Sequence, residues 1–121
     1  MSSLTYTNPP GWGTHIGTVN HMAQAVLLPT TPPTIKISGQ GGWDLITGEI
    51  LDPSNAENIA QQVDLAFANV DNVLRNAGSR NRWGDVYLVR VYFVELWAFE
   101  GAAAKGLSAG LKKWCEGISP W

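Results

Sequence analysis

Chemistry in this chain concentrates first in Ser38, Gly39, Gln40, Gly41 and Gly42, a hydroxyl followed by a glycine-rich run. Glycines let the backbone take positive φ and approach a ligand or another chain closely. A second candidate is Arg90, which alternates with apolar residues in Val-Tyr-Leu-Val-Arg-Val-Tyr-Phe. A guanidinium on such a segment would line a cleft and fork onto a planar carboxylate. Each residue also has a local reading: Ser38 caps the turn after a strand, and Arg90 pairs with Glu95 or Asp85. A phosphate cradle at Gly39, Gly41 and Gly42 is rejected, because the P-loop needs a Lys-Ser/Thr pair and the dinucleotide fingerprint a βαβ context.

The remaining reactive types give weaker patterns. His15 and His21 lie six apart with no third ligand at a metal-binding spacing, so no metal is expected. Neither histidine stands in a recognisable relation to Ser38, which leaves that hydroxyl without a base to make it a nucleophile. Cys115 would become a reactive thiol if Lys112 and Lys113 lowered its pKa, and is otherwise inert. Glu95 and Glu100 would serve either as an acid/base pair or as favourable charges at a helix start. Trp97 and Trp114 would stack on a ligand or pack against protein.

The elements that position these residues are short. At 121 residues the chain reads as one domain, spanning 1–121. No window approaches the roughly 20 apolar residues of a membrane span, and no targeting signal is visible. A single cysteine excludes an internal disulfide and suits a reducing compartment, so a cytoplasmic location is expected. Eight basic against ten acidic residues leave no dense positive face, which argues against nucleic acid as partner. Six tryptophans exceed what a small core hides, and some are expected at a subunit interface.

From Met1 to Pro33 the repeated prolines and glycines predict short strands and loops. Gln24 to Leu28 and Thr34 to Ser38 form an expected hairpin, the second strand alternating Ile35 and Ile37 with polar neighbours. A turn through Leu45, Ile46, Thr47 and Gly48 follows. The clearest element is a helix from Pro53 to Ala77 with Ile59, Val63, Phe67, Val70, Val73 and Leu74 on one face, capped by Asp52 and stopped by Gly78. Asp85 to Val94 reads as a strand. Trp97 to Trp114 reads as a second helix with Ala103, Leu107, Leu111 and Trp114 on one side. Its Gly101, Gly106 and Gly110 each cost about 1 kcal/mol relative to Ala, so it should need tertiary support. The order predicts an α+β fold with two helices on one face of a mainly antiparallel sheet.

Three pieces in this order carry a family resemblance: Ile37-Ser38-Gly39-Gln40 after a strand, Thr47-Gly48-Glu49-Ile50 ten residues on, and the helix with Gln62, Ala66, Asn69, Leu74, Ala77 and Gly78. Together with the Val89 to Val94 segment they resemble the Rid/YjgF family over roughly residues 20 to 115. The resemblance implies a chorismate-mutase-like fold and a homotrimer with ligand sites in clefts between subunits. It further implies hydrolytic deamination of small enamines or imines derived from amino acids, with no cofactor. A cleft arginine grips the substrate carboxylate there, and a glutamate near the chain end assists the attacking water.

On this pattern the sequence ends at Ile118-Ser119-Pro120-Trp121, where the family begins its last strand, so that arginine and glutamate have no counterpart. Met22 falls where the family has a tyrosine. Ser38 and the Gly39 backbone match the family site, and Arg90 is the candidate replacement anchor. The uncovered sheet edge would be filled by the N-terminal segment, the Trp-bearing tail or a neighbouring subunit. The functional expectations are thus a Rid-like deaminase, a non-catalytic small-molecule-binding or scaffold trimer of the same fold, and last the RNA cleavage or translation inhibition also attached to the family.

Overall fold

The computed structural model describes residues 4–20, 22–52, 54–93 and 101–115; it is an α+β arrangement built on a three-stranded antiparallel sheet. Strands β2 (Ala25–Leu28) and β3 (Thr34–Ile37) form the expected hairpin, with Ala25 opposite Ile37 and Leu28 opposite Thr34. Strand β1 (Thr5–Thr7) pairs with the other side of β2, so the N-terminal segment covers one edge. The order β1-β2-β3 leaves the outer edge of β3 without a partner among the described residues. Cross-strand neighbours Tyr6, Val26 and Lys36 share one face, and Thr7, Ala25 and Ile37 share the other.

Between β1 and β2 lies α1 (Trp12–Asn20), where the sequence predicted only strands and loops. The reason is physical: Gly13 and Gly17, which read as breakers, sit where a side chain would collide. A Cβ at 13 would lie 2.7 Å from the Pro9 ring, and one at 17 would lie 2.7 Å from the Asn8 amide. Thr14 Oγ1 donates to the Pro9 carbonyl (2.8 Å), and the Trp12 N–H donates to the Leu45 carbonyl (3.0 Å). Tertiary contacts therefore outweigh the propensity of the two glycines.

The long helix α2 (Ala56–Asn76) forms as its periodicity predicts, with Val63, Phe67, Val73 and Leu74 buried. Its cap differs. Asn55 accepts from the Glu57 N–H (2.8 Å), whereas Asp52 accepts from the Ser54 N–H (2.9 Å) and closes the preceding turn. Pro53 lies outside the described residues. Gly78 takes the expected left-handed stop at φ 99°.

Helix α3 (Ala102–Trp114) receives its tertiary support from α2. Phe67, Val63 and the buried Trp83 form the core, with Leu107, Leu111 and Trp114 packed against it. Burial of each such side chain contributes about 1.5–3 kcal/mol. The Phe67 and Trp83 rings lie 4.8 Å apart, and the Trp83 indole N–H donates to the Phe67 carbonyl (3.2 Å). Gly106 and Gly110 are buried, one turn apart, at the contact with Val63 and Phe67. Trp83 is held by a 3-10 turn (Arg82–Asp85), and Arg82, at φ 51°, forks onto the buried Asp71 at 2.7 and 2.5 Å. That carboxylate holds the guanidinium more firmly protonated than usual.

The predicted strand at Asp85 to Val94 is not paired. Asp85 closes the 3-10 turn, residues 86–93 adopt no regular structure, and Val94 lies outside the described residues. Val86, Val89 and Phe93 still turn toward the core, while Tyr87, Leu88, Val91 and Tyr92 are exposed. Among the described residues no helix is long and apolar enough to cross a membrane.

Candidate functional site

The loop after β3 is fixed by polar side chains that the sequence reading had not singled out together. Gln24, 3% exposed, accepts at its carbonyl from the Ser38 N–H (2.8 Å), and its Oε1 accepts from Gln40 Nε2 (2.8 Å). Ser38 Oγ lies 3.3 Å from the Gln24 carbonyl and accepts from Gln40 Nε2 at 3.3 Å. The hydroxyl of Ser38 thus ties the end of β3 to the segment before β2, a cross-strand contact rather than the turn cap expected from the sequence. Asn69, 2% exposed, reaches from α2 and donates to the Gly41 and Trp43 carbonyls (2.8 and 2.9 Å).

The glycines act differently from expectation. Gly39, Gly41 and Gly42 do not have positive φ; among the described residues that conformation falls on Gly11, Gly48, Gly78, Gly101 and Arg82. Gly42 provides the expected close approach, but to this chain's own helix: a Cβ there would lie 2.3 Å from the Gln62 carbonyl oxygen. Gly39 has open space around its α-carbon, and neither its N–H nor that of Gln40 has a hydrogen-bond partner among the described residues.

Residues 38–43 of this loop rim a recess of about 2140 Å³ between the sheet, α2 and the 86–93 segment. Ile35, Ile37, Val63, Ala66, Phe67 and Val70 contribute apolar walls. Ser38, Gly39 and Arg90, the three residues selected from the sequence, all line it. Arg90 is exposed and makes no ion pair with Asp85, whose carboxylate accepts from Ser79 (3.2 Å) and Asn81 (3.1 Å). Its other sequence-predicted partner, Glu95, lies outside the described residues. Arg80, Arg90, Asp52 and Asp85 are also among its lining residues. Asp52 is held ionised below the ordinary carboxylate range by the Ser54 N–H.

Other candidates lie elsewhere. His15 stacks on Trp12, ring centroids 5.1 Å apart, and His21 lies outside the described residues. No cluster of three metal-binding side chains occurs among the described residues. Burial pushes the Cys115 thiol above its ordinary pKa, opposite to the activation that Lys112 and Lys113 would give. Lys113 instead pairs with Asp64 (3.0 Å), which also accepts from the Trp114 indole (3.1 Å). Glu100 and Trp97 lie outside the described residues. No family model, curated protein or solved structure matches the chain.

Proposed function

We propose that this chain is a Rid-like hydrolytic deaminase of chorismate-mutase-like build, acting as a homotrimer on small enamines or imines derived from amino acids. The observation that carries this reading is that Ser38, Gly39 and Arg90, more than fifty residues apart in sequence, line one apolar-walled recess. Arg90 would hold the substrate carboxylate with two parallel hydrogen bonds. The unpaired N–H groups of Gly39 and Gln40 would orient a polar atom at the other side, and the apolar walls would receive the side chain. In the reaction an enamine tautomerises to its imine, water adds to the imine carbon, and the C–N bond breaks. The products are a 2-oxo acid and ammonia.

A second reading, a non-catalytic binding or scaffold trimer, is favoured by the engagement of the described carboxylates at the recess. Asp85 is taken by Ser79 and Asn81, and Asp52 by Ser54. Neither is oriented as a free general base. The test is ammonia release when the protein meets an enamine formed in situ from serine or threonine by a separate dehydratase. Acceleration over the dehydratase alone supports the deaminase; none from the folded protein leaves the binding reading.

A further inference from the structure

We propose that the hollow between Tyr6 and Lys36, on the face of the sheet that Val26 shares with them, is a binding site for a small aromatic monocarboxylate. This goes beyond the proposed function and does not depend on it.

The site follows from strand register. Tyr6 pairs with Val26 and Val26 with Lys36, so the alternation of strand side chains puts the three in one row on one face. With strands about 4.8 Å apart, Tyr6 and Lys36 start roughly 10 Å from each other, and Val26 forms the floor between them. Around this row lies a hollow of about 300 Å³, its lining completed by Ala23, Ala25, Ile37 and Ser38. That volume stands at the small end of ligand sites, which measure roughly 300–1,000 Å³. It suits a guest of one ring.

The lining selects the charge of that guest. Lys36 is its sole charged residue, and the ammonium makes no ion pair among the described residues. One unopposed positive charge matches one negative charge, whereas a phosphate ester carries about −1.5 to −2 near neutral pH and would leave an excess. Most of the remaining surface is apolar, and Tyr6, 59% exposed, presents a ring open to offset stacking. An aromatic ring lying on Val26 beside Tyr6 therefore aims its carboxylate at Lys36.

The hollow is separate from the recess that holds Arg90. Lys36, Ile37 and Ser38 border both, but Tyr6 and Val26 line only the hollow, and Arg90 only the recess. Neither Tyr6 nor Lys36 is among the residues that carry the family resemblance.

Titration of the full isotope-labelled chain with benzoate, followed by amide NMR shifts, tests the proposal. Saturable shifts are expected at Tyr6, Val26 and Lys36, with a Kd of about 1 mM. Benzamide keeps the ring without the charge and acetate the charge without the ring, so each should bind about tenfold weaker. Lys36→Met and Tyr6→Ala alter exposed side chains, and each should weaken benzoate binding about five- to tenfold with the spectrum otherwise retained. Arg90→Ala should leave benzoate binding unchanged. Shifts that fail to saturate by about 20 mM benzoate would overturn the proposal, and so would equal affinity for acetate or benzamide. Binding that survives Lys36→Met but is lost in Arg90→Ala would overturn it too, by moving the guest into the recess.

Discussion

Gly110 of α3 sits directly on the Phe67 ring of α2: a Cβ at position 110 would lie 2.5 Å from Cε2. One turn earlier, a Cβ at Gly106 would meet Ala60 and Val63 at an ordinary 3.4 Å. The two glycines carry the same helix-propensity penalty but differ in what they permit.

Gly110→Ala should therefore destabilise by about 1–3 kcal/mol, because overpacking outweighs the roughly 1 kcal/mol gain in helix propensity. Gly106→Ala should be neutral or stabilising by up to about 1 kcal/mol. Urea unfolding of both variants checks this, and equal effects at the two positions would contradict the packing account.

Asn69→Ala removes two donors and leaves the Gly41 and Trp43 carbonyls without them. A loss of about 1–3 kcal/mol is expected. Exchange protection should fall first in the 38–43 loop, and proteolysis there should accelerate.

Asp44 holds the turn before Ile50 by accepting from the Thr47 and Ile46 N–H groups, which keep its carboxyl below the ordinary 3.8. Its folded pKa is thus below its unfolded one. The stabilisation it gives is complete above the unfolded value and is lost as pH falls through the folded value. Asp44→Ala should lower the unfolding midpoint near neutral pH and flatten its decline below about pH 4. An unchanged acid limb would remove Asp44 as its source.

Cys115 should alkylate more slowly than an unstructured cysteine peptide at neutral pH, since burial raises its pKa above the ordinary 9.0. Iodoacetamide labelling across the alkaline range measures this. Faster labelling than the peptide would restore the activating role of the neighbouring lysines.

Arg90→Ala should weaken use of a carboxylate-bearing enamine about ten- to a hundredfold, the equivalent of losing a charge-assisted hydrogen bond of roughly 1.5–3 kcal/mol. The exposed side chain makes no hydrogen bond or ion pair among the described residues, so the unfolding midpoint should hold. An unchanged ammonia-release rate in a chain that is active would move the carboxylate anchor elsewhere.

The sequence by itself determined the β2–β3 hairpin, the span and buried face of α2, its glycine stop, and the apolar side of α3. Those features follow from local periodicity and turn chemistry, which a linear pattern carries completely. It also marked Ser38, Gly39 and Arg90, because a hydroxyl beside glycines and a charge among apolar residues stand out without a structure. Only the tertiary structure decided what the glycines do: Gly13 and Gly17 fit within a helix, and Gly42 and Gly110 admit a neighbouring backbone or ring. It likewise decided that Asn69, Gln24 and Asp71 are buried polar anchors, and that the β-patterned 86–93 segment lies unpaired across the recess from β3. Close approach, polar satisfaction and strand pairing depend on residues far apart in the chain, so no local pattern could encode them.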